Sequence, residues 1–170
     1  MLEQGYRRIA HFSGPQHLNI YKYRRQGYED ALREFGLPVA EELIVIGNMK
    51  MDDGRAGMRQ LLALPVPPDA VFSASDFAAA GALEVLKERG LRVPEDIGLV
   101  GFSNELFSRL TTPQLTSIDQ HCELMGRSAT SLLLQVMEER EPGVCAPPHR
   151  VAARFIRAGL VAGPGGGGRE

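Results

Sequence analysis

Gly101-Phe102-Ser103-Asn104-Glu105 sets a serine just after an apolar run, Ile97 to Gly101, where a hydrolase would carry its nucleophile. The elbow of such enzymes has a second glycine two residues beyond the serine so that the turn packs tightly, and Glu105 stands there instead. A triad also needs an acid and a histidine in reach. His121 follows a short extended segment, while His11, His17 and His149 fall in a strand, a loop and a strand close to the C-terminus. Hydrogen bonding, to a ligand or within its own turn, is the chemistry left to Ser103. The chain is not expected to be an enzyme.

Other catalytic constellations are missing too. No G-x-G-x-x-G follows a strand, and the terminal GPGGGG is not a phosphate loop. No cluster of His, Cys, Asp and Glu has metal-ligand spacing, so neither metal nor cofactor is expected. Cys122 and Cys145 lack such spacing and read as reduced thiols. Binding, by contrast, has a set of suitable groups: Arg24, Phe72, Ser75, Asp76, Ser103 and Asn104. Donors and acceptors together suit a polyol, whose C–H face packs on an aromatic ring. Each residue has a plainer reading, with Arg24 a solvated helix residue, Phe72 core and Asp76 a helix cap.

What could bring these residues together is an alternation of short apolar runs with amphipathic ones. RRIAHFSG, ELIVIG, DAVFSAS and EDIGLVGF read as strands, and YKYRRQGYEDALREFG, DDGRAGMRQLLAL and DFAAAGALEVLKERG as the helices between them. Asp52 or Asp53 is expected to cap the second helix and Asp76 the third, with Gly36 and Gly90 ending the first and third. The strands are continuously apolar, as in parallel strands buried on both faces, so the fold class is α/β with a doubly wound parallel sheet. In such sheets ligands bind beyond the carboxyl ends of the strands. Segments 13–24, 48–53, 73–76 and 103–105 then form one rim.

After Pro113 the pattern changes to a short extended LTSIDQ, a long helix CELMGRSATSLLLQVMEER and a last strand HRVAARFIR, neither helix nor strand having an obvious partner in the alternation. Leu124, Leu132, Leu133 and Met137 of that helix would form an uncovered apolar patch. GPGGGGRE reads as a flexible tail. These breaks suggest units at 1–119, 120–157 and 158–170. Nineteen Lys and Arg against 21 Asp and Glu give a formal net charge of -2, which offers no electrostatic footprint for nucleic acid. With no run of about 20 apolar residues and no signal-peptide core at the start, the chain as given reads as cytoplasmic and without membrane contact.

EQGYRRIAHFSGP, RRQGYEDALREFGLPV, PDAVFSASDFAAAGALEVLKERGLRVPEDIGLVGFSN and TTPQLTSIDQHCELMGRSATSLLL together resemble the lactose-repressor (LacI/GalR) family of transcription regulators. The resemblance covers most of 3–134 and implies a periplasmic-binding-protein-like lobe that senses a small-molecule effector, of sugar class, in a homodimer. It also implies that operator DNA is bound only through an N-terminal domain outside this chain, and that the C-terminal helix and strand belong to an absent second lobe. Arg24 matches the family's effector-gripping arginine, Phe72 a ligand-touching aromatic position, and Gln120 a glutamine at the lobe crossover. Ser75 stands where many sugar-binding members have asparagine, and Ser103 where many have an aspartate that accepts from two hydroxyls. Helix 76–89 and loop 106–110 are expected subunit contacts. A sugar-binding protein of a transporter is the alternative reading.

Overall fold

The computed structural model describes residues 1–138 and 154–156. Its main sheet consists of β1 (Ile9–Ser13), β2 (Ile44–Ile46), β3 (Ala70–Ser73) and β4 (Gly98–Val100), all parallel, in the order β2-β1-β3-β4. The crossovers are α1 (Asn19–Glu34), α2 (Met51–Leu62) and α3 (Asp76–Glu88). Every residue of this central strand β1 is buried, the polar His11 and Ser13 included. Ala10 and Phe12 enter the larger core beneath α2 and α3, whereas Ile9 joins Tyr28 and Leu32 of α1 on the opposite face. Helices thus cover both faces, and the sheet is doubly wound as the sequence pattern implies.

Helix boundaries follow local chemistry, with two differences from expectation. Gly36 and Gly90 do terminate α1 and α3 in the left-handed region, at φ 69 and 71. The cap of α3, however, is Ser75, whose Oγ accepts from the Phe77 N–H at 3.2 Å, and Asp76 is the first helical residue. In α2 neither aspartate is the cap residue: Lys50 is, and Asp53 reaches back from the third helical position to accept from the Lys50 N–H at 2.9 Å. Nor is α3 an exposed helix. Ala78, Ala79, Ala82, Val85 and Leu86 are fully buried against α2 and the sheet, leaving Phe77 as its exposed large hydrophobic side chain.

Past β4 the ladder continues. Gly101 N–H donates to Thr116 O at 2.8 Å and Ser103 N–H to Ile118 O at 2.9 Å, so the returning segment lies parallel along the edge of the sheet. Its last residues form β5 (Ser117–Asp119), which pairs antiparallel with β6 (Arg154–Ile156). The last strand therefore has a partner that the alternation of the sequence did not disclose. Helix α4 (Cys122–Glu138) remains uncovered, with Leu124, Met125, Leu133, Leu134 and Met137 exposed. Residues of the proposed tail, 158–170, and Cys145 and His149 lie outside the described residues.

The tightest contact between helices is made by backbone. A Cβ at Gly81 would press into the Met51 carbonyl oxygen, and one at Gly54 into that of Ala78. Gly81→Ala is expected to lower unfolding free energy by about 3 kcal/mol, through forced separation of α2 and α3. Gly27→Ala, on open helix surface, should raise it by roughly 0.5–1 kcal/mol. Urea denaturation of the two variants checks both signs.

Candidate functional site

The crossover from β1 to β2 runs on one face of the sheet and that from β2 to β3 on the other, which places the topological switch at the carboxyl ends of β1 and β3. Arg24, in the second turn of α1, points across this gap. Its Nη1 donates to Ala74 O at 2.7 Å and its Nη2 to Gln120 Oε1 at 3.1 Å. The guanidinium carbon stands 3.7 Å from the centroid of the Phe102 ring, a cation–π contact worth roughly 0.5–2 kcal/mol. Burial pulls the Arg24 pKa below its ordinary value. Gln120 Nε2 in turn donates to Ser103 Oγ at 2.8 Å. Ser103 meets an amide there, and its hydroxyl proton stays available to a further acceptor. The His121 ring lies by another group, its Nδ1 3.9 Å from Asp119 Oδ2.

Asp76, expected among the ligand-facing residues, is fully buried beneath the rim. Its Oδ1 accepts from Ser117 Oγ at 2.7 Å and its Oδ2 from the Glu105 N–H at 2.8 Å. Ser117 Oγ also accepts from the Asn104 N–H at 3.0 Å. Burial raises the carboxyl pKa, against the opposing pull of the Ser117 hydroxyl and the loop amides. The role of Asp76 is to hold the turn that presents Ser103. That turn needs holding, since Ser103 and Asn104 adopt φ 121 and 53, conformations that cost about 1–3 kcal/mol each for residues with a side chain. Ser75 is engaged as the α3 cap, and Asn104 lends a hydrogen bond that helps keep the Asp119 carboxyl below the usual range, after the larger effect of the His121 N–H.

Phe72 walls a cleft of about 610 Å³ together with Arg24, Phe102, Tyr23 and Tyr28. Behind it lies a stack of three rings: His11 is 5.0 Å from Phe72 and 4.9 Å from Tyr28, at interplanar angles of 11° and 21°. His11 Nδ1 is 2.9 Å from Phe72 O, and because a carbonyl only accepts, Nδ1 carries the proton. Its Nε2 is buried without a partner among the described residues. Desolvation lowers the His11 pKa to about 4.

Arg24, Phe72, Ser103 and Gln120 thus meet at one rim, whereas Ser75, Asp76 and Asn104 support it from below or beside. Phe102 and the His11 stack were missed by the sequence reading. Phe102 could have been found, since it directly follows the Gly101 that closes the fourth apolar run. Nothing in the sequence distinguishes His11 from other histidines of a buried strand.

A parallel sheet with its cleft at the switch point and a chain that leaves by crossover defines a ligand-binding lobe of periplasmic-binding type. The chain belongs to the periplasmic binding protein-like domain family, whose model matches residues 1–156. The relatives it matches include proteins named as transcription regulators. It is 42% identical over 143 residues to the HTH-type transcriptional repressor CytR of Escherichia coli (strain K12), covering 84% of this chain and 42% of the repressor. The transcriptional regulator CelR in its cellobiose complex superposes with a TM-score of 0.82 at 36% identity, over 93% of this chain and 48% of CelR. A LacI-family regulatory protein from Chloroflexus aggregans does so at 0.79 and 32%, over 83% of this chain and 51% of the other. The chain thus spans about half the length of the curated relatives it matches.

Two outcomes are expected of the supporting residues. Asp76→Ala should cost about 3 kcal/mol, because the Ser117 hydroxyl and Glu105 N–H lose a charged acceptor, and should shift the amide resonances of 103–105. For His11, neutrality in the fold against an unfolded pKa near 6.5 contributes stability that is complete above pH ~6.5 and is lost as pH falls towards 4. The loss should total about 3 kcal/mol. Denaturation at pH 7.5 and 4.5 should show this component in the native chain and not in His11→Leu.

Proposed function

We propose that this chain is the effector-sensing part of a LacI-type, DNA-binding transcription regulator that works in the cytoplasm and carries out no catalysis. The observation that carries the reading is the hydrogen-bonded line Arg24–Gln120–Ser103. It joins the first helix, the turn after β4 and the crossover in a single cleft wall. A small molecule, of sugar or related class, that engages Arg24 and Ser103 while packing on Phe72 and Phe102 competes directly for the bonds of Gln120. Ligand occupancy is thereby felt where the chain leaves the lobe, and a ligand that prefers one arrangement of the crossover shifts the population towards it. The whole regulator would contact operator DNA through a further domain, as its HTH-type relatives are named for.

A homodimer fits the surface. Phe77 and Phe107 pack at 4.9 Å, and beside them Leu106 and Leu110 are each about four-fifths exposed, at 80% and 81%. These side chains form an apolar patch on the loop expected to make subunit contacts, away from the cleft.

The test is a thermal-shift screen of the protein, with mono- and disaccharides and nucleosides as probes, repeated on Arg24→Ala. A ligand at 100 times its Kd adds about 2.7 kcal/mol to stability. The expected result is a stabilising ligand whose effect disappears in Arg24→Ala, the unliganded variant melting close to the native chain. Stabilisation that survives Arg24→Ala would place the binding site elsewhere.

A further inference from the structure

We propose that His11 is a proton-sensitive positioning residue of the cleft: neutral, it holds the Phe72 ring in the wall, and a proton at Nε2 sends that ring into the cleft while the sheet stays folded. The inference rests on the sensing role proposed above, since Phe72 is part of the wall on which a ligand packs.

Tyr28, His11 and Phe72 come from α1, β1 and β3, so the stack crosses three elements. Two of its rings are fastened. Tyr28 Oη donates to Ile9 O at 2.8 Å, and His11 Nδ1 donates to Phe72 O at 2.9 Å. Tyr28 and Phe72 both border the cleft, with His11 fully buried behind them. Phe72 is only half-buried, and its ring, which has no polar atom, is held by packing alone.

A second proton on the imidazole makes this arrangement costly. Nε2 is buried and has no partner among the described residues, so the cation would carry a donor without an acceptor. Of the charged groups on α1, Arg25 and Arg24 oppose the charge and Glu29 favours it. Glu29 is itself engaged, by Arg25 at 2.7 Å and Arg33 at 2.8 Å, and Glu41 is engaged by Arg25 at 2.8 Å. The flanking strands β2 and β3 bring no ionisable side chain. Glu3 lines the cleft but is exposed. Burial therefore dominates, and His11 stays neutral until the pH falls towards 4. The Tyr28 phenol, pushed up to about 12 by burial, is neutral over the same range.

Relief requires only that water reach Nε2. Strand β1 is bonded to β2 on one side and to β3 on the other, which resists opening of the sheet. Phe72 needs no more than rotation about its side-chain torsions, and the cleft of about 610 Å³ beside it receives the ring. Losing the stacking of one aromatic pair costs less than burying an unpaired charge. A ring in the cleft takes space from a ligand, so ligand and proton each lower the affinity of the protein for the other by the same factor.

The test is nuclear magnetic resonance of the protein with ¹³C-labelled phenylalanine rings and ¹⁵N-labelled histidine, titrated from about pH 7.5 to about 3.5, with far-UV circular dichroism on the same samples. The Phe72 ring signal is identified by its loss in Phe72→Leu. The expected result is a Phe72 shift that follows protonation of the His11 imidazole, with one midpoint for both, while the dichroism holds steady. In His11→Phe, which keeps a ring in the stack, the pH-dependent shift should vanish. A Phe72 signal that stays in place as His11 titrates, or that moves only as the dichroism is lost, would overturn the switch. So would a His11 that takes up no proton before the sheet unfolds. Each of these outcomes leaves the sensing role standing, because the thermal-shift screen decides that role independently.

Discussion

A single buried carboxylate ties together the start of a helix, the turn after β4 and the returning segment. Asp76 opens α3, yet its oxygens go to Glu105 in the turn after β4 and to Ser117 in the returning segment. A charge so far from water is tolerated only because each oxygen has a donor, and those same donors fix the geometry of the ligand rim. The adjacent Gly101 admits that carboxylate, for a Cβ there would collide with it. Sequence, turn and crossover are in this sense one assembly: the strained backbone at Ser103 and Asn104 persists because the surroundings over-determine it.

Above this anchored layer the rim is built from groups of a different kind. Arg24, Gln120 and Ser103 bond to one another through hydroxyl, amide and guanidinium, with Phe102 beneath the cation. Such bonds exchange for bonds of the same kind to a ligand, since each is worth only about 1–3 kcal/mol net. The division is physically sensible. Bonds to a buried ion set a rigid platform, and bonds among partly buried groups, of which Arg24 alone is charged, leave the cleft wall responsive.

Much of this architecture was legible in the chain. The largely apolar runs at 9–13, 44–46, 70–73 and 98–100 read as strands of a parallel sheet, and the rim followed from where they end, although Ile46 at the border of that sheet is exposed. Arg24 and Ser103 lie in the segments so marked and are joined in the structure through Gln120, which only the family resemblance singled out. Asp76 was misplaced because a residue at a helix start looks the same whether its carboxylate caps the helix, faces a ligand or turns inward. Only the long-range partner Ser117, 41 residues on, decides between them. The same limit hid the partner of the last strand, whose antiparallel pairing with β5 is set by where the chain returns rather than by any local pattern. It also hid the burial of α3, where alanines and Gly81 reflect the close approach of α2.

The returning segment has one more effect. By bridging Val100 to Thr116 and Ser103 to Asp119, it occupies the hydrogen-bonding edge that β4 would otherwise offer to solvent. An open parallel sheet is a template for another chain wherever its outer strand is bare. Here the opposite border, β2, is only three residues long, a length that gives an intruding strand little to grip. The crossover is thus also a seal, and a change that loosened it would create a sticky border as well as a disturbed cleft.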